Sequence, residues 1–121
     1  MQITTPVADA VGRYLDLSSL ELKLTAQNMA NVDTPGYRTE GFDFAAEMRR
    51  SVQQLSAGTG SVPAPEIGPV DGLLERPDGN NVSMDREGLK MAEAQLQFRT
   101  GVALLRNEFT RVMDAVHEDQ K

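Results

Sequence analysis

Apolar positions recur at both ends of this chain with the period of a helix face, and the stretch between them has no such period. In residues 6–32, Val11, Leu15, Ser18, Leu22, Thr25 and Met29 follow one another at three- and four-residue steps. Leu17, Leu20 and Leu24 widen that stripe on one side, so the predicted helix has an apolar face broader than a strict coiled-coil seam. Thr5 is placed to cap it, and Pro6 fits the first helical position, where a missing N–H costs nothing. The last third is more regular. Met91, Gln95, Phe98, Val102, Leu105, Phe109, Val112 and Val116 alternate four- and three-residue steps, a heptad seam with one polar position at Gln95. This predicts a helix from Met84 to about residue 118, with Ser83 as N-cap and Asp85 and Glu87 in a first turn that suits acids. Ala92, Leu96 and Ala103 form a second, smaller apolar flank on it.

The first helix should stop near residues 31–33, because Thr34-Pro35-Gly36-Tyr37 is a strong turn signal. Pro35 presets its own φ and pushes Thr34 out of the helical region, and Gly36 supplies the positive φ of a type II turn. Asn31, Asp33 and Thr34 are expected to bond one another there. In residues 43–55, Phe44, Ala45, Met48, Val52 and Leu55 have the spacing of a short helix. Residues 56–82 hold Gly58, Gly60, Gly68, Gly72 and Gly79 among Pro63, Pro65, Pro69 and Pro77, with one possible short strand at residues 70–74. So long a stretch without periodicity is expected to be mobile in the free chain or ordered by a partner.

The pattern therefore predicts a mainly α fold. Long N- and C-terminal helices (residues 1–33 and 83–121) form a coiled-coil-like core pair, and residues 34–82 make an irregular middle with a short helix and a short strand. Each helix covers the apolar side of the other. Parallel and antiparallel arrangements are both open on length. The first helix looks too wide for one partner, which predicts that its surplus face packs on other subunits rather than under residues 43–55.

Composition narrows the function more than the fold. The chain has 121 residues, a formal charge of -6 and no cysteine, which excludes disulfides, thiolate metal sites and a cysteine nucleophile. The acidic balance, few aromatics and lack of a basic stripe argue against nucleic acid. No run reaches the length of a membrane span, and the N-terminus lacks the features of a cleaved secretory signal. The one histidine, His117, sits near the end of the last helix, where it reads as solvated. Asp78-Gly79-Asn80-Asn81-Val82-Ser83-Met84-Asp85 is rich in oxygen ligands. A calcium loop would need glycine where Ser83 stands and glutamate where Leu89 stands, so turn and helix cap are the better reading. No cofactor, metal or catalytic constellation is implied, and the chain reads as a non-enzymatic helical assembly protein.

The segment Ala26-Gln27-Asn28-Met29-Ala30-Asn31-Val32-Asp33-Thr34-Pro35-Gly36-Tyr37 resembles the signature that ends the first helix of bacterial flagellar rod and hook axial proteins. Within that family, Gly79, Asn80, Asn81, Val82, Ser83, Met84, Asp85 and Glu87 before a helix with Gln95, Leu96 and Phe98 resemble the FlgB type of proximal rod protein. Family members commonly carry an acid where this chain has Ser83, and the middle region is short for a distal-rod or hook protein. The FlgC type, with a similar layout, is the alternative within the family. A soluble coiled-coil adaptor or chaperone is the alternative outside it.

The resemblance implies a structural subunit of the basal-body rod, exported by the flagellar type III apparatus without signal cleavage and helping to pass motor torque to hook and filament. It further implies self-association, with FlgC- and FlgF-type rod proteins, a FliE-type adaptor, a FliF-type membrane-ring protein and the export gate as neighbours.

Overall fold

The computed structural model describes residues 5–58 and 61–120; Thr59, Gly60 and the outermost residues of the two terminal regions, 1–4 and 121, lie outside them. Three helices and one strand pair follow in the order α1 (Pro6–Ala30), β1 (Glu40–Gly41), α2 (Phe44–Ser56), β2 (Gly68–Pro69) and α3 (Met84–Glu118). Each helix begins where a side chain caps it. The Thr5 hydroxyl oxygen accepts the Ala8 N–H at 3.0 Å, Asp43 accepts that of Ala46 at 3.0 Å, and Ser83 accepts that of Arg86 at 3.3 Å. α1 ends two residues short of the expected Val32. The Asn31 side chain folds back to the Gln27 carbonyl at 2.8 Å, and the Asn31 carbonyl is taken by the Asn80 amide at 2.9 Å. That carbonyl is satisfied outside the helix, so no further turn is needed.

α1 and α3 are antiparallel, which settles the orientation that chain length left open. Asn28 pairs with Glu87, Glu21 lies 3.7 Å from Lys90, and the Thr5 hydroxyl donates to Glu108 at 2.8 Å, so α1 runs back as α3 runs forward. The row of α3 buried against α1 is Glu87, Ala94 and Gly101, at seven-residue spacing. At Gly101 the approach is closest: a Cβ there would lie 2.6 Å from Leu15 Cδ2 and 3.1 Å from Tyr14 Cδ1. The seam is thus turned from its predicted setting. Met91, Leu105 and Val112 are half-buried and Val102 partly so, while Gln95, Phe98, Phe109 and Val116 are exposed. Small residues win the central position because they let two backbones approach, which large apolar residues do not.

The broad face of α1 meets α2 within the chain. α2 lies across it, with Tyr14 and Phe44 edge-to-face at 5.4 Å and Arg13 Nε donating to Ser51 Oγ at 3.0 Å. Val11, Leu17 and Leu24 are buried, and Leu15, Leu22 and Met29 are half-buried. Residues 43–55 cover part of that face, and the large apolar side chains left in water lie mostly on α3.

The middle segment is also tied down more than its composition suggests. β1 and β2 pair antiparallel, Glu40 opposite Pro69 and Gly41 opposite Gly68, and the Val70 N–H extends the ladder to the Thr39 carbonyl at 2.9 Å. The strand expected at residues 70–74 therefore lies just before them. Gly72, at φ 81°, turns the chain away, and Leu74 is 91% exposed. Upstream, Arg13 and Arg50 donate to the carbonyls of Pro63 and Ala64 at 3.0 and 3.1 Å, and Glu47 accepts the Glu66 N–H at 3.1 Å. Charged side chains of α1 and α2 supply the anchoring that an apolar pattern would otherwise have announced.

Candidate functional site

The turn after α1 and the lead-in to α3 are far apart in sequence and meet in one buried polar junction. Asn28, only 1% exposed, sits at its centre with its whole hydrogen-bonding capacity used. Its amide donates to the Glu40 carbonyl at 2.8 Å and to Glu87 Oε2 at 3.1 Å. Its oxygen accepts from the Tyr37 hydroxyl and the Glu40 N–H, both at 3.0 Å. Glu87 is equally buried and takes Arg86 on its other oxygen at 2.6 Å, so this buried carboxylate has a cation and an amide as partners. Burial, then repulsion from Glu40, pushes the Tyr37 phenol above its ordinary value, which keeps it a donor.

A second asparagine closes the turn. The Asn80 amide donates to the carbonyls of Asn31 and Thr34, both at 2.9 Å, and its oxygen accepts the Val82 N–H at 2.8 Å. Asn81 Oδ1 accepts the Thr39 N–H at 2.7 Å. Gly36, at φ 75°, donates its N–H to the Asp78 carbonyl at 2.9 Å. Gly79, at φ 85°, lies so close that a Cβ on it would be 3.3 Å from Gly36 Cα. Only glycine suits both positions at once.

Of the turn residues, Asn31 and Thr34 bond as expected: the Thr34 hydroxyl donates to Asn31 Oδ1 at 3.1 Å. Asp33 is exposed and lies outside this network among the described residues; Asn28, Asn80 and Asn81 take the central part instead. Ala30 and Pro35 are exposed on the rim, and Val82 is buried beneath it. Met84 and Asp85 face solvent at the start of α3. Sequence reasoning missed Thr39, Arg76, Ala94 and Gly101. Thr39 is fully buried and donates its hydroxyl to the Asn81 carbonyl at 3.3 Å, and Arg76 donates to the Val32 carbonyl. The signal for Ala94 and Gly101 was present, since with Glu87 and Glu108 they form a seven-residue row. Apolar scoring passes over such small and acidic positions.

The comparisons with known proteins concern the chain as a whole. No protein-family model matches the chain. The flagellar basal body rod protein FlgB of Salmonella typhimurium is 31% identical over 119 residues, covering 84% of this chain and 86% of that protein. FlgB of Cereibacter sphaeroides is 33% identical over 107 residues, covering 77% of this chain and 80% of that protein. This chain belongs to the FlgB family. FlgB of Borrelia hermsii is 29% identical over 114 residues, covering 79% of this chain and 84% of that protein.

In this FlgB-family chain a polar pocket lies beside the junction. A pocket of about 290 Å³ opens between α1, the start of α3 and the strand pair, lined by Glu21, Glu40, Asp43, Arg86, Glu87 and Lys90 among others. Glu21 Oε2 is buried there without a hydrogen-bond partner among the described residues. Burial raises its carboxyl pKa, and Lys90 offsets part of that rise. Among the described residues no three His, Cys, Asp or Glu side chains group to hold a metal ion, and no helix is long and apolar enough to cross a membrane.

Proposed function

We propose that this FlgB-family chain is a structural subunit of the proximal rod of the bacterial flagellar basal body, working by packing rather than by catalysis. The observation that carries this reading is the contrast within α3. One end of the helix is locked to α1 by a saturated polar junction, and the other presents exposed Phe109, Met113 and Val116. A junction of that kind fixes the angle between chain segments, which a load-bearing part needs. Exposed apolar helix faces supply the lateral burial that holds copies together, at roughly 25 cal/mol per Å². The relatives' name, basal body rod protein, supports the same reading.

In this reading the chain is carried out by the flagellar type III apparatus and helps transmit motor torque to hook and filament. Its neighbours are further copies of itself, FlgC- and FlgF-type rod proteins, a FliE-type adaptor, and at the base a FliF-type ring protein and the export gate. The turn residues Asn28 to Tyr37 and the lead-in Gly79 to Glu87 set the geometry, and the exposed positions of α3 make the contacts. Deleting the gene should abolish rod assembly and swimming, and the wild-type chain supplied from a plasmid should restore both. Normal rods and motility in the deletion strain would overturn the proposal, and so would absence of the chain from isolated basal bodies.

A further inference from the structure

The pocket beside the junction carries more acid than base. α1 supplies Glu21, the chain from β1 to the cap of α2 supplies Glu40 and Asp43, and α3 supplies Arg86, Glu87 and Lys90. Both cations are already engaged. Arg86 is bonded to Glu87 at 2.6 Å, and Lys90 lies 3.7 Å from Glu21 and 3.6 Å from Glu93. Neither Glu40 nor Asp43 has a cation in ion-pair reach among the described residues. Glu21 is a second sign. It is only 8% exposed, yet its carboxylate makes no hydrogen bond among the described residues: Oε2 is buried without a partner, and Lys90 stands beyond hydrogen-bond distance of Oε1. Buried carboxylates are ordinarily bonded, so Glu21 lacks a donor that the folded chain does not supply.

We propose that this pocket takes the guanidinium of an arginine presented by a neighbouring protein chain; that the neighbour is a basal-body protein rests on the rod-subunit reading above. Charge sets the sign of the ligand. Five carboxylates, those of Glu21, Glu40, Asp43, Glu87 and Glu93, stand against the two cations Arg86 and Lys90, so the site attracts a further cation. Among the described residues no three acids group to hold a metal ion, which leaves an organic cation. Volume sets the size. At about 290 Å³ the space lies at the bottom of the roughly 300–1,000 Å³ range of small-molecule sites and suits one long side chain. Leu24 and Val70 line it beside the acids, so a methylene stem is covered while its charged head meets carboxylates. Arginine suits the site better than lysine, because its planar fork donates to two carboxylates at once and sheds water more readily. The same guanidinium brings the donor that Glu21 lacks.

The purified chain is titrated with N-acetyl-arginine amide and followed by NMR, with the uncharged citrulline analogue as control. The expected result is saturable shifts at the Thr25, Gly41 and Val70 amides with half-saturation at about 1–10 mM, as suits one side chain without its protein, and about tenfold weaker binding of the citrulline analogue. E21Q and E40Q should each weaken arginine binding about threefold; E40Q keeps both backbone bonds between Glu40 and Asn28. Burial holds the Glu21 carboxyl above its ordinary pKa, so the arginine probe should also move its titration to lower pH, which a purely structural pocket would not show. A folded chain that responds equally to both probes, or to neither, would overturn the site and leave the rod reading standing. A second measurement needs no folded free chain. E40K puts a cation at the pocket and should cut the chain recovered in isolated basal bodies about fivefold, while E40D leaves recovery unchanged. Equal recovery of E40K and wild type would overturn the arginine contact, whereas absence of the wild-type chain from basal bodies would overturn the rod reading and the basal-body neighbour with it.

Discussion

The two ends of the α1–α3 pair are held by opposite kinds of chemistry. At the turn end Asn28, Asn80, Thr39 and Glu87 are almost fully buried, and the hydrogen bonds they make join α1, the turn and the start of α3. Toward the far end one hydrogen bond, from the Thr5 hydroxyl to Glu108, ties the helices, and beside it an open groove is lined mostly by apolar side chains. Buried polar networks are directional, and a half-satisfied one is worse than none, so this end has essentially one arrangement. Apolar surface is non-directional and is buried by whatever covers it. A subunit that must hold its own shape and still accept neighbours separates the two: geometry at one end, adhesion at the other.

The comparison breaks most sharply at Asn28. N28A should lower the stability of the chain by about 3 kcal/mol in urea unfolding, since it strands the Tyr37 hydroxyl, both Glu40 backbone groups and one Glu87 oxygen. A loss under about 1 kcal/mol would show that water replaces the amide and that the junction is not the rigid end. G101V tests the helix contact and should cost about 2 kcal/mol, because its side chain would occupy the space of Leu15 and Tyr14. G36V should cost about 1.5 kcal/mol through the left-handed backbone at φ 75°, and should also impair assembly. An unchanged urea midpoint would show that the turn relaxes freely.

A smaller effect is expected at Glu21, where the sign is set by burial. Its folded pKa lies above the ordinary 4.5, so the folded chain holds the proton more tightly than the unfolded one. Stability from this group is therefore highest at low pH and falls as pH rises from 4.5 through the folded value. Subtracting the E21Q curve from the wild-type curve should give a difference that declines across that window and then stays level. A difference that rises with pH would mean that the Lys90 pair, 3.7 Å away, outweighs desolvation. The smallest change in stability belongs to the adhesive end. M113D should leave the urea midpoint within about 0.5 kcal/mol of wild type, as a surface change, while rod assembly in cells is lost. Loss of both together would show that the end of α3 belongs to the chain's own core.

How much of this was legible in the residues depended on the range of the signal. The caps at Thr5 and Ser83 are local, involving a side chain and an N–H three residues on, and the starts of α1 and α3 followed from them. The Gly36 turn was readable for the same reason, and the motifs around it carried the resemblance that the relatives then bore out at the level of family. The rotation of α3 was not readable. Its heptad stripe spans two rows of large residues, and a stripe alone does not say which edge meets the partner. The choice fell to Ala94 and Gly101, whose value is the distance they permit between two backbones.

The sequence by itself therefore determined the helices, their caps, the turn and the family, because each depends on residues close in the chain or on a motif. Only the tertiary structure decided that the helices run antiparallel, that α2 covers α1, and that Asn28 meets Glu87. Those facts depend on groups brought together across long separations, where a polar residue shows its role only once its partner is in place.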